Sequence, residues 1–147
     1  MPFLQFVATL CAALFAGAAL YINIAEHPAR MTLDTQVAAS QWAPSYKRAT
    51  WLQAPLAGIS FATAALAFLL GAGIAWLVGA LLIGAVIPFT LVVIMPTNHK
   101  LLAPGRDRAS AETRSLLESW ARLHAVRTAM SLLAAALFVM SLVATSR

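Results

Sequence analysis

Charge is scarce in this chain, and acidic charge scarcest. Its 147 residues hold five Asp and Glu and ten Lys and Arg, so charged residues make up only 10%, against roughly 25% in a typical soluble domain. Hydrophobic residues reach 61%, more than a soluble protein of this length can hide, and lipid is the solvent that removes the difficulty. A single cysteine, Cys11, excludes an intramolecular disulfide. The first charged residue is Glu26, and a secretory signal peptide needs a basic start, so the first apolar segment is expected to be a retained helix. Ala8-Thr9-Leu10 before Cys11 also makes a poor lipoprotein site. The net charge of +5 does not indicate a nucleic-acid partner, because the basic residues lie in short loops beside apolar spans, as in membrane proteins. There is no internal repeat, and no low-complexity segment beyond alanine-rich helix.

Charge-free stretches locate the spans. No Asp, Glu, Lys or Arg occurs in residues 1–25, 49–99 or 128–146. The middle stretch is too long for one span of about 20 residues, and Gly71-Ala72-Gly73 divides it. The expected fold is all-α: one four-transmembrane-helix bundle over residues 1–147, with spans near 3–25, 51–70, 74–95 and 124–143. Pro28 and Pro96 are expected to close the first and third helices. Pro55 falls in the first turns of the second, where a missing donor costs least. Pro88 should kink the third, its freed carbonyl finding Thr90 or a neighbouring helix. From Ser110, a capping residue, Leu116, Leu117, Trp120 and Leu123 form an amphipathic stripe running unbroken into the last span. Ser110 to Val143 is roughly 50 Å of helix against a hydrocarbon core of about 30 Å, so the last helix should extend into the cytoplasm.

Arg30, Lys47, Arg48, Lys100, Arg106, Arg108, Arg114, Arg122 and Arg127 all fall on one face of this arrangement, and Arg147 alone on the other. By the positive-inside rule, loops 26–50 and 96–123 are cytoplasmic and both termini outside, as in an integral protein of a bacterial-type inner or plasma membrane. Gly71, Gly73, Gly79 and Gly84 permit close helix packing, within the chain or across a homo-oligomer interface.

The three histidines fall at span ends on the same face. His27 follows the first span, His99 the third, and His124 opens the fourth. Asn23, Glu26, His27 and Arg30 share a helix face if the first helix continues that far, Asn98 precedes His99, and Trp120, His124 and Arg127 form one stripe at i, i+4 and i+7. Polar and aromatic residues at span ends are ordinarily interface anchors; Trp42, Tyr46 and Trp51 read that way, as does Trp76 on the opposite face. Arg48, Arg106, Arg108 and Arg122 read as topology determinants. So many polar groups at one depth nevertheless suggest an inward-facing pocket. Three chemistries suit it. His27, His124, His99 and Glu26 could hold one divalent transition metal, although the spacing is no metal motif. Two histidines could ligate a haem. Without a cofactor, a histidine base could act beside a carboxylate, with Arg127 or Asn98 stabilising an anion. Adjacent residues do not face each other on a helix, so Glu26 is expected to pair across helices, for example with His124, rather than with His27.

Three segments carry a family resemblance: Glu26-His27-Pro28-Ala29-Arg30, Pro96-Thr97-Asn98-His99-Lys100-Leu101, and Trp120-Ala121-Arg122-Leu123-His124-Ala125-Val126-Arg127. In a four-span frame they resemble the anthrone oxygenase-like family of small integral membrane proteins. The resemblance implies functional weight for His27, Pro96, Asn98, Leu101, Trp120, His124 and Arg127. It marks no histidine at position 99, which leaves His27 and His124 as the pair of interest. It implies oxidation of a small lipophilic aromatic, anthrone-like, with dioxygen. On that reading His124 or His27 is the base, Arg127 and Asn98 partner the anion, and Trp120 is a stacking wall. Haem or metal redox carriage, and a non-catalytic membrane subunit or binder, are the competing classes.

Overall fold

The computed structural model describes residues 1–145, which are almost wholly helical, and Ser146 and Arg147 lie outside that description. The chain forms four long helices: α1 (Pro2–Arg30), α2 (Thr35–Leu69), α3 (Ile74–Leu102) and α4 (Ala111–Thr145), each long and apolar enough to cross a membrane. Successive helices run antiparallel. α1 packs on α2 and α4, and α3 packs on the same two, which closes a ring. The short connections at 31–34 and 103–110 therefore share one end, here the charged end, and the glycine turn lies at the other. Gly71 and Gly73 hold φ near 90° and 100°, a region L side chains rarely adopt, which is why the long apolar run turns there.

Three helices extend further than the sequence suggests, and the physical reason is local. Pro28 and Pro96 do not end α1 and α3. A proline inside a helix clashes with the carbonyl four residues back and removes a donor. Both helices widen just before it. A π-helical segment spans Ile22–Glu26 ahead of His27-Pro28, and another spans Thr90–Ile94 ahead of Met95-Pro96. The His27 N–H reaches back five residues to the Ile22 carbonyl, and the Met95 N–H to that of Thr90. α2 begins at Thr35 rather than near Trp51, so Pro44 and Pro55 both lie within it. After Pro88 the Thr90 hydroxyl donates to the Val86 carbonyl at 2.7 Å, not to the Gly84 carbonyl that the proline frees. α4 starts as expected: the Thr113 N–H donates to the Ser110 hydroxyl at 3.2 Å, a side-chain N-cap.

The interior has two parts. Toward the glycine turn it is apolar: Trp76 stacks on Phe138 with ring centroids 5.0 Å apart, among Ala8, Ala12, Phe15, Ala64, Ala80 and Ile83. Trp76 is 1% exposed, so it is a core residue and not an interface anchor. Only glycine fits at position 79, where a Cβ would come within 2.2 Å of the Phe138 ring. Toward the charged end a second cluster gathers Ile22, Ala38, Trp42, Ile94, Leu101, Leu117 and Trp120. The outer surface is lined with Phe3, Ile24, Trp51, Leu69, Val92 and Met140, a band of exposed apolar side chains of the kind that marks membrane contact.

Candidate functional site

At the charged end the aromatic cluster carries polar groups on it. His27 and His124 both pack on the Trp120 indole, with centroids 5.2 and 4.8 Å away. Trp42 meets Trp120 edge-on at 5.7 Å and stacks parallel on Tyr46 at 5.1 Å. The stripe Trp120, His124, Arg127 faces inward along its whole length. Arg127 donates to the Gln53 side-chain oxygen at 2.7 Å, and its guanidinium lies 5.2 Å over the Phe15 ring, a cation–π contact.

The two imidazoles differ in which nitrogen is free. Asn23 donates through its amide nitrogen to the Ala121 carbonyl at 3.2 Å, which turns its oxygen toward α4. That oxygen accepts from the Thr128 hydroxyl and lies 2.6 Å from His124 Nδ1. An amide oxygen only accepts, so Nδ1 of a neutral His124 carries the proton and Nε2 keeps its lone pair. In His27 the pattern is reversed. Arg30 lies 3.1 Å from His27 Nδ1, and a guanidinium only donates. The lone pair of His27 Nδ1 is thereby taken, and its Nε2 is buried with no hydrogen-bond partner among the described residues.

Glu26 does not pair with His124. Its carboxylate is bound by Arg30 one helical turn on and by the Ser45 hydroxyl, and Arg30 also donates to Gln41. The extra turn of α1 beyond Ala25 brings Arg30 round to Glu26, and the early start of α2 brings in Ser45 and Gln41. The partner that orients His124 is therefore an amide, not a carboxylate. His99 is exposed, away from the other two histidines. Among the described residues no three His, Cys, Asp or Glu side chains gather as a metal donor set, and Glu26 and His27 are engaged with Arg30. The cavity that His124 lines is about 20 Å³, room for roughly one water-sized molecule and none for a haem. Neither group fits these residues.

Asn98 is 0% exposed, and neither polar atom of its side chain has a partner among the described residues. It shares a helix face with Ile94 and Leu101, which belong to the Trp120 cluster. Further orphaned buried atoms are His27 Nε2, Trp42 Nε1, Gln53 Nε2 and Arg127 Nε. Each is worth about 1–3 kcal/mol of desolvation. All belong to side chains at or near the charged end; the Trp76–Phe138 core contributes none.

α2 supplies a wall that the sequence reading did not anticipate. Trp42 is 1% exposed and packs inside the Trp120 cluster with Tyr46 stacked on it, so it is no surface anchor; Trp51, 84% exposed, does face outward. Gln53 went unmarked, although it is the only amide side chain in the charge-free stretch before Asn98, and a lone polar group in an apolar run is itself a signal. A second cavity of about 140 Å³ adjoins the first and shares Tyr46, Thr50, Gln53 and Arg127 with it.

An all-helical chain with four apolar helices and a buried His/Asn/Arg/Trp cluster at one end defines a class of small membrane-type proteins. The sequence profile of the anthrone oxygenase family matches residues 42–137, well over half of the chain, and the chain belongs to that family. Among its relatives, the anthrone oxygenase tpcL of Aspergillus fumigatus is 37% identical over 70 residues, a stretch covering 46% of this chain and 44% of that protein. The chain thus aligns with less than half the length of that relative. No solved structure matches. The family match takes in Asn98, Trp120, His124 and Arg127, while Asn23, Glu26, His27 and Arg30 precede it.

Proposed function

We propose that this protein is an integral-membrane oxygenase that oxidises a small lipophilic aromatic, anthrone-like in its acidity, with dioxygen, and that His124 is its base. One observation carries the assignment: His124 lines a water-sized cavity with its Nδ1 2.6 Å from the Asn23 side-chain oxygen, a pairing that leaves the lone pair of the neutral ring on Nε2. A general base must present a lone pair to its substrate, and of the two buried histidines only His124 does.

The chemistry follows from the substrate class. A benzylic carbon conjugated to a carbonyl or phenol loses a proton to give a delocalised anion. His124 Nε2 takes that proton, and charge accumulates on the substrate oxygen, for which Arg127 and Gln53 have an unused donor each, Nε and Nε2. The electron-rich anion passes one electron to dioxygen, and the resulting pair joins as a C–O bond to give a peroxide. Loss of the second proton from the same carbon cleaves the O–O bond. One oxygen atom stays as the new carbonyl; the other leaves as water with both hydrogens. Dioxygen is the only oxidant required. Trp42, Tyr46 and Trp120 keep the site apolar and offer flat faces to a planar anion. An oily substrate dissolved in the bilayer accounts for an enzyme built into it. The basic residues near the 31–34 and 103–110 connections support a cytoplasmic location for that end; labelling of single cysteines introduced there, from the cytoplasmic side only, checks the orientation.

The deciding experiment reconstitutes the protein in lipid and follows dioxygen uptake with an anthrone and with activated phenols. The wild type consumes dioxygen, and His124→Ala slows uptake by about 10²-fold or more. Equal rates in the two proteins would remove His124 from the chemistry.

A further inference from the structure

The larger cavity lies one to two turns further into the apolar stretch than His124. Its floor is buried Ala57 and Val86, its mouth is rimmed by exposed Ile87 and Leu91, and its polar wall is the Gln53–Arg127 pair. Three features stand together. The mouth opens between α2 and α3 through the apolar outer surface, not at the charged end. Gln53 and Arg127 on this wall each hold a buried N–H, Gln53 Nε2 and Arg127 Nε, that has no acceptor among the described residues. Gln53 itself is 3% exposed, and its carbonyl oxygen is already taken by Arg127, so its amide has only donors left to offer.

We infer that this cavity is a ligand site entered sideways from the bilayer, built for a single aromatic ring bearing one acceptor oxygen, with any further apolar part of the ligand left in the mouth. Size sets the ring count. About 140 Å³ is close to the roughly 150 Å³ of an apolar cavity that takes up benzene, and three fused rings need about twice that or more. Polarity sets the oxygen: two unused donors on adjoining side chains, one on a guanidinium, match a phenol, phenolate or quinone oxygen and leave a hydrocarbon unanchored. Gln53 is thus a specificity-determining residue. The oxygenase reading supplies the reason for such a site, and the inference narrows its substrate from anthrones to one-ring phenols with an apolar tail.

The test measures binding without turnover, by quenching of tryptophan fluorescence under argon, with full-length protein in lipid nanodiscs and empty nanodiscs as the partition control. The probes are a 4-alkylphenol, the alkylbenzene of equal chain length, and anthrone. The wild type is expected to favour the phenol over the alkylbenzene by about tenfold, the worth of one hydrogen bond to a charged or amide donor, and over anthrone by a similar factor. Gln53→Leu erases the preference for phenol while alkylbenzene binding is kept, and Ala57→Leu, which fills the cavity, weakens both. Arg122→Gln, which breaks only an exposed bond to Ser119, binds phenol as the wild type does. A phenol preference that survives Gln53→Leu would overturn the assignment of the polar wall. Tighter binding of anthrone, or phenol bound no better than in empty nanodiscs, would overturn the one-ring site. Binding as expected with no dioxygen uptake leaves the site standing and defeats the oxygenase reading instead.

Discussion

The two ends of the molecule are built from the same four helices and differ in how their interiors are satisfied. At the glycine turn, Trp76, Phe138 and a set of alanines close-pack, and Gly79 lets the Phe138 ring come against the backbone of α3. At the charged end, tryptophans again form the core, but His27, Asn98, Gln53 and Arg127 are buried among them with polar atoms left over. A bundle selected only for stability has no use for those groups, since an apolar residue of like shape would cost less. The first end holds the helices together. The second spends part of that stability on buried polar side chains around a cavity that His124 lines, as functional sites commonly do.

Substitutions at the two ends should therefore fail in different ways. The largest effect is expected from His124→Ala, with dioxygen uptake lower by about 10²- to 10⁴-fold and a melting temperature close to that of the wild type. At the opposite end Trp76→Ala should cost about 3–5 kcal/mol of stability, read by thermal unfolding in detergent, while the protein that remains folded keeps its rate. Asn23→Leu should lower kcat by about tenfold or more with little change in KM, because His124 then loses the acceptor that fixes its tautomer; a steady-state dioxygen assay separates the two constants. Asn98→Leu removes two unsatisfied buried atoms and should raise stability by about 1 kcal/mol, with activity lowered, a sign opposite to that of Trp76→Ala. Least of all, Arg122→Gln, which breaks only an exposed bond to Ser119, should stay within about 0.5 kcal/mol.

Much of the fold was legible because lipid imposes long apolar runs, and the absence of charge in 1–25, 49–99 and 128–146 marked them. The glycine turn and the Ser110 cap were legible for local reasons, φ in one case and a hydroxyl acceptor in the other. Helix ends at Pro28 and Pro96 were misread because a π-turn absorbs the proline clash, something no dipeptide rule contains. That misreading had consequences at the site. The sequence placed Glu26 beside His124, whereas the extra turn of α1 brings Arg30 to Glu26 and leaves Asn23 to orient the imidazole. The inward stripe of Trp120, His124 and Arg127 was visible because helical spacing alone fixes it. Trp42 and Gln53 were not, since their role depends on how α2 is rotated against α4, and rotation is set by tertiary packing.

Nitrogen NMR of ring-labelled histidine in the lipid-reconstituted protein tests the account most directly. Resonances are assigned to His27 and His124 by their loss in the alanine variants. The prediction is opposite neutral tautomers: His124 protonated at Nδ1 and bare at Nε2, His27 bare at Nδ1 and protonated at Nε2. A proton found on His124 Nε2 would leave the cavity without a base and contradict the mechanism.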